Sequence, residues 1–214
     1  MDERPQDALR RKKDSSMRVA INLVKKGEAA ACVSAGNTGA LLATSRFVLG
    51  MVPGIDRPAI VSAVPSTGGY TVMLDLGAKP GCTADHLVQF AVMGSVIASD
   101  LHGIDRPRIG LLNIGEEEIK GTDELREAHR RLAAAPINFR GFVEGNVIFS
   151  GDVDVVVTDG FSGNIALKTM EGVARFIGSV MREEFTASPL RKLGALAASP
   201  ALRGLKRRLD PSAY

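Results

Sequence analysis

The run Asp154-Val155-Val156-Val157-Thr158-Asp159-Gly160-Phe161-Ser162-Gly163-Asn164-Ile165-Ala166-Leu167-Lys168 passes from a buried-strand pattern through a small polar loop into a helix. No other feature limits the fold as tightly. Ala30-Ala31-Cys32-Val33-Ser34-Ala35-Gly36-Asn37-Thr38-Gly39-Ala40-Leu41-Leu42 repeats the same unit. A β-branched apolar strand that leads directly into a helix belongs in a parallel sheet, where helices supply the crossovers and cover both faces. A helix start leaves its first N–H groups unpaired and carries about half a positive charge, so a glycine loop ahead of it suits an anion. Two such loops in one chain point to phosphate chemistry.

The remaining periodicity agrees. Strands are predicted near 30–34, 59–64, 70–76, 108–113, 137–143 and 153–158, with helices near 39–50, 84–101, 122–134 and 164–185. A first helix, capped by Asp14 or Ser15, turns Met17, Ala20, Ile21 and Val24 to one side and ends at Gly27. The fold class is α/β, a mostly parallel doubly wound sheet. Strands 59–64 and 70–76 are the exception, because the Pro65-Ser66-Thr67-Gly68-Gly69 connection is too short for a crossover and demands an antiparallel hairpin. Gly54-Ile55-Asp56-Arg57-Pro58 recurs as Gly103-Ile104-Asp105-Arg106-Pro107. Both copies read as turns between helix and strand, with Arg57 or Arg106 facing a cleft or dimer interface as the alternative.

Net charge is +3, yet the stretch between Phe185 and Leu209 holds six basic residues and no acidic one. These are Arg191, Lys192, Arg203, Lys206, Arg207 and Arg208, so the tail is the basic element and the body is mildly acidic. Leucines at 190, 193, 196, 202, 205 and 209 make the tail two short amphipathic helices, suited to packing on the protein, on a second subunit or on an anionic lipid surface. The expected organisation is an α/β catalytic domain over 1–187, incomplete at its N-terminus, and a basic amphipathic helical segment over 188–214. With no tryptophan and only two tyrosines there is no basic-aromatic stripe for nucleic acid. Cys32 and Cys82 are too few for a disulfide framework, which fits a reducing cytosol, and neither a signal peptide nor an apolar span of membrane length is present.

Chemistry is expected at strand ends. The loops Ser34 to Gly39, Asp75-Leu76-Gly77-Ala78-Lys79, Asn113 to Gly121 and Thr158 to Asn164 all follow predicted strands, and ligands of open α/β sheets bind at that carboxyl edge. No G-x-G occurs and no P-loop lysine follows a glycine run, which argues against a nucleotide-dependent dehydrogenase or an ATP site. His86, His102 and His129 lack metal-ligand spacing, no G-x-S-x-G is present, and Cys32 lies in an apolar run. What remains is a site of N–H groups, Asn, Ser, Thr, Lys and carboxylates, suited to attack of a phosphate oxygen on an activated carbonyl. Asn37, Asn164 and Asp159 equally suit helix caps or Asx turns, and Lys79, Lys120 and Lys168 equally suit a solvated surface.

Together Arg11-Lys12-Lys13-Asp14-Ser15-Ser16-Met17, Ser34 to Leu41, Leu74-Asp75-Leu76-Gly77-Ala78, Gly110-Leu111-Leu112-Asn113-Ile114-Gly115-Glu116-Glu117, Lys120-Gly121 and Asp154 to Lys168 resemble the PlsX family of bacterial acyl-carrier-protein:phosphate acyltransferases. The resemblance covers nearly the whole chain. It implies an isocitrate dehydrogenase/phosphotransacetylase-like fold, and conversion of long-chain acyl-[acyl-carrier-protein] and inorganic phosphate into acyl phosphate for phospholipid synthesis. It also implies a cytoplasmic homodimer without metal or organic cofactor, with possible peripheral contact at the inner face of the membrane.

Carried over residue by residue, it implies that Ser34, Gly36, Asn37, Thr38 and Gly39, with Gly160, Ser162, Gly163 and Asn164, hold the phosphate and the carbonyl oxygen. Asp75, Glu116 and Lys120 line the same cleft with Asn113. Asp159, Lys168 and Asn113 are the catalytic candidates, Asp159 to orient or deprotonate phosphate and Lys168 to neutralise developing charge. The basic tail residues are implied to contact membrane or acidic carrier protein. Lys79 stands where the family has Asn, and Val147 near where it often has Asp. The family's first strand–helix region and its Gly-Gly-Ala-rich C-terminal segment are not in the chain, so it resembles an internal portion of the family's length. The alternative implied by that departure is an inactive fragment that acts only as a binding module.

Overall fold

The computed structural model describes residues 12–77 and 81–209, and at 206, 208 and 209 the backbone alone. The chain forms two compact units, Met1–Ala59 and Ile60–Tyr214. Residues 187 and 188, where a boundary is expected, lie between two helices of the second unit.

In the first unit, α1 (Ser16–Lys25) is capped by Ser15, whose Oγ accepts from Arg18 N at 3.3 Å, and Gly27 ends it at φ 75°. Its apolar side centres on the fully buried Ile21. α2 (Thr38–Leu49) packs against α1, and the Arg18 guanidinium lies 5.1 Å above the Phe47 ring. The strand expected over 30–34 is not formed, and Val33 is 98 % exposed. An apolar run suggests burial but supplies no ladder partner, and among the described residues no strand pairs with this segment.

The second unit is built on a five-stranded sheet, β1 (Val61–Ser66), β2 (Gly69–Leu74), β3 (Ile109–Leu112), β4 (Phe139–Val143) and β5 (Val155–Val157), in the order β1-β2-β5-β3-β4. β1 and β2 form the expected antiparallel hairpin, with Val61 opposite Leu74 and Ser66 opposite Gly69. The connection is shorter than predicted: Pro65 and Ser66 belong to β1, and Thr67-Gly68 alone turn the chain, with Gly68 at φ 83°. Pro65 is tolerated because β1 is an edge strand. β2, β5, β3 and β4 are parallel neighbours.

Helices cover both faces. α3 (Ala84–His102) crosses one face at Gly94, where a Cβ would lie 2.6 Å from Val155 Cγ1 and 2.9 Å from Leu74 Cδ2, and α4 (Asp123–Ala133) packs beside it. On the other face, Val64, Met73, Leu76, Val143, Ile148, Val153 and Val156 form a cluster that takes in Ala166, Leu167 and Met170 of α5 (Gly160–Thr186). This is the doubly wound α/β arrangement that the alternation predicts. α5 then continues with Val173, Phe176, Ile177 and Val180 exposed, and α6 (Pro189–Ala197) and α7 (Ser199–Leu209) follow it.

Of the two Gly-Ile-Asp-Arg-Pro copies, the second ends a helix as expected, with Gly103 in the left-handed region at φ 66°. In the first, Gly50 ends α2 and Gly54 serves the turn after it, while Arg57 is buried. At the amino edge of the sheet, Arg108 clasps Asp154. Nη2 lies 2.7 Å from Oδ1, and Nε and the Arg108 backbone N reach Oδ2 at 2.9 and 2.7 Å. The hydrogen bonds from Arg108 hold the Asp154 carboxyl below the usual carboxylate range and in turn raise the Arg108 guanidinium.

Candidate functional site

Parallel pairing brings the carboxyl ends of β2, β5, β3 and β4 to one edge of the second unit. The ladder runs past the strands there. Asp75 N donates to Thr158 O at 3.0 Å and Thr158 N to Leu74 O at 2.7 Å, so the turn after β2 lies beside the start of α5. Two glycines set how close they come. A Cβ on Gly160 would lie 1.9 Å from Gly77 O, and one on Gly163 would lie 2.1 Å from Asp75 O. Both are buried on one side of the first turn, and main chain of residues 75–77 fills the space their side chains would need.

Helix α5 therefore begins at Gly160, four residues earlier than predicted. Glycines near a polar run read as loop, yet here they are helical because Asp159 caps them, its Oδ1 accepting from Phe161 N at 2.9 Å and Ser162 N at 3.1 Å. Ser162 and Asn164 consequently stand on the helix, with Ser162 exposed and Asn164 half-buried. Lys168 lies more than two turns into α5, exposed, with Nζ 2.8 and 3.0 Å from the two Glu171 carboxylate oxygens. Asp75 turns inward: it is 1 % exposed, and its Oδ1 accepts from Ile60 N at 2.9 Å and Gly77 N at 2.8 Å. Its carboxylate pins the 75–77 turn to the chain entering β1.

Beyond β3, Asn113 is buried, while Glu116 and Lys120 are exposed on the loop that follows, Lys120 4.0 Å from Glu117. The edge thus brings Asp75, Asn113, Asp159, Gly160 and Gly163 to neighbouring strand ends. Lys168 stands apart from them on the helix surface. Sequence reasoning named Gly77 and Gly121 as members of these loops and motifs but gave neither a role of its own. Each matters through what it lets approach, and only the non-local contact reveals that.

In the first unit, the 34–39 segment makes its own helix start. Ser34 Oγ accepts from Gly36 N at 3.2 Å, and Asn37 caps α2 by accepting from Ala40 N at 3.0 Å. The amides of Thr38 and Gly39 come before the first intrahelical bond, Leu41 N to Asn37 O. Met17 Cε would be 2.7 Å from a Cβ on Gly36.

On the tail, Arg191 pairs with Glu184, and Lys192, Arg203 and Arg207 are exposed. Leu190, Leu193 and Leu196 are exposed beside them. Lys79 and Arg11 lie outside the described residues, as do the side chains of Lys206 and Arg208. Among the described residues no helix is long and apolar enough to cross a membrane.

The model of the family described as "Fatty acid synthesis protein" matches residues 1–214. The chain is 59% identical over 214 residues to a "Phosphate acyltransferase" of Alkalilimnicola ehrlichii, and 57% identical over 215 residues to one of Halorhodospira halophila. Each match takes in all of the chain and 63% of the relative, so the chain spans less than two thirds of their length. Among solved structures, a phosphotransacetylase from Streptococcus pyogenes aligns with a TM-score of 0.56 and 20% identity, over 72% of this chain and 54% of that one. A branched-chain phosphotransacylase from Enterococcus faecalis aligns at 0.53 and 17%, over 74% and 65%. These likenesses show the phosphotransacetylase-like fold.

Proposed function

As the chain belongs to the Fatty acid synthesis protein family, we propose that the full-length protein transfers a long-chain acyl group from acyl carrier protein to inorganic phosphate. The product is acyl phosphate, a precursor for phospholipid synthesis. The observation that carries this reading is the 59% identity to a phosphate acyltransferase across every residue of the chain. The same relatives give no support to a nucleotide-dependent dehydrogenase.

The reaction asks little covalent chemistry of the protein. A phosphate oxygen attacks the thioester carbonyl carbon, forming the C–O bond and an oxyanion. Its collapse breaks the C–S bond, and the carrier leaves as thiolate, already a good leaving group. The protein's tasks are to hold the reactants and to stabilise the oxyanion. Neutral donors serve both tasks better than carboxylates. The 34–39 segment has that chemistry, with an uncharged Asn cap and the Thr38 and Gly39 amides. Asn164 and Lys120 are the neutral and cationic groups proposed at the carboxyl edge.

Asp159 is assigned to orienting or deprotonating a substrate group, and Asp75 to holding its turn. The exposed leucines and cations of α6 and α7 suit contact with acidic carrier protein or anionic lipid. A homodimer in the cytoplasm, with this tail at its edge, completes the reading.

The test is phosphate-dependent release of thiol from long-chain acyl carrier protein, run on this chain and on the same chain extended at both ends to the length of its relatives. Activity in the extended chain is the expected result, and activity in both would make the flanking segments dispensable. Silence in both overturns the proposal.

A further inference from the structure

Asn113 directly follows β3, and its backbone is still within the ladder, donating to Val143 O at 2.9 Å. Its side chain is 8 % exposed, and neither Nδ2 nor Oδ1 has a hydrogen-bond partner among the described residues. A buried carboxamide with both ends unused is destabilising, and such a group calls for a partner from outside the fold.

Above it lies Gly121, at φ 84°, where a Cβ would be 2.5 Å from Asn113 Oδ1 and 3.2 Å from Nδ2. The roof is therefore one glycine thick. Arg126 Nη1 holds it from α4, donating to Gly121 O at 2.8 Å and Ile119 O at 3.3 Å. The loop beneath that latch is lightly tied. Residues 116–120 are all exposed, and Ile114 and Ile119 expose 81 % and 80 % of their surface. One segment thus carries an unused polar pair at its root and two uncovered apolar side chains at its ends.

We propose that the Asn113 carboxamide is the recognition group for an amide in the thiol arm of the thioester substrate, reached when the Gly121 roof lifts. The proposal rests on the acyl-thioester reading above. A carboxamide offers a donor and an acceptor side by side. Phosphate would use the donor and leave Oδ1 facing an anion, and an acyl chain would use neither. A substrate amide satisfies both. Ile114 and Ile119 then cover the methylene spacers on either side of it.

The experiment uses the chain extended to the length of its relatives and two long-chain acyl thioesters. One is built on N-acetylcysteamine, which carries an amide, and the other on pentanethiol, which carries none. Wild type is expected to favour the first in kcat/KM by about tenfold, the equivalent of two ordinary hydrogen bonds. Asn113→Leu, of similar shape, is expected to erase that preference mainly through KM and to leave the urea midpoint the same or higher.

Two results would overturn the assignment while leaving the acyltransferase intact: no preference in wild type, or a preference that survives Asn113→Leu. A fall in the urea midpoint of Asn113→Leu would also overturn it, since the carboxamide would then have a partner within the fold. Wild type that turns over neither thioester with phosphate overturns the acyltransferase reading, and this proposal with it.

Discussion

Replacing Gly163 by Ala tests the contact between α5 and the turn after β2. The new Cβ would lie 2.1 Å from Asp75 O, 2.7 Å from Thr158 Cγ2 and 3.1 Å from the Asp75 carbonyl carbon. A relaxed carbon–oxygen contact is about 3.3 Å or more, so the start of α5 must withdraw by about 1 Å. It cannot do so freely, because Ala166, Leu167 and Met170 pack on the sheet within the next two turns. Overpacking of this kind costs about 3 kcal/mol, and the better helix propensity of Ala returns about 1 kcal/mol. A net loss of about 2 kcal/mol is expected. Gly172 supplies the control, since it lies in the same helix, is exposed, and has nothing within 4 Å of an added Cβ. Gly172→Ala should stabilise by about 0.5–1 kcal/mol. Urea unfolding followed by far-ultraviolet circular dichroism measures both, with an unchanged slope confirming comparable transitions. If the two variants shift the midpoint in the same direction, the packing of α5 against residues 75–77 is not what requires glycine.

Other consequences follow from the ion pair and the caps. The Asp154 carboxyl is held low by Arg108, so its contribution is fully present above the unfolded carboxyl value near 4 and is lost as pH falls through the lower folded value. Asp154→Asn should therefore cost about 1–3 kcal/mol at neutral pH and flatten the acid limb of stability, read from urea midpoints at pH 7 and pH 3. Asp159→Asn keeps an N-cap and should change stability by less than about 0.5 kcal/mol, whereas Asp159→Ala should cost about 1 kcal/mol. If the carboxylate handles a proton, both variants lose activity in the extended chain. Full activity in Asp159→Asn would leave Asp159 as a cap alone.

The alternation of apolar strands and amphipathic helices carried the architecture, including the hairpin, because burial on two faces and a short connection are local properties of the chain. The caps at Ser15 and Asn37 were legible for the same reason, since a cap needs only residues within one turn. Residues 30–34 failed because a strand also requires a partner, which no pattern within the segment supplies. The start of α5 was misplaced because glycine is a poor helix former on average, whereas here it is the residue that lets the helix touch the 75–77 turn. The Arg108–Asp154 clasp spans 46 residues and had no local signature at all. Asn113 was visible as a polar residue at a strand end, but its lack of partners depends on a glycine eight positions later folding back over it.

The two strand-like, glycine-loop, helix units are the same pattern in sequence and differ in what they offer an anion. At the start of α5, the cap is a carboxylate that already accepts from Phe161 N and Ser162 N. It satisfies the donors and the positive helix end that an incoming phosphate would seek, and the two glycines are spent on contact with backbone. At the start of α2 the cap is a neutral amide that takes Ala40 N alone. The amides of Thr38 and Gly39 come before the first intrahelical bond, and the cap itself brings no negative charge. Sequence similarity between the units therefore does not make them equivalent sites. The neutral cap is the reason the 34–39 segment is the one proposed for phosphate, with Asp159 proposed for tasks that a carboxylate can perform.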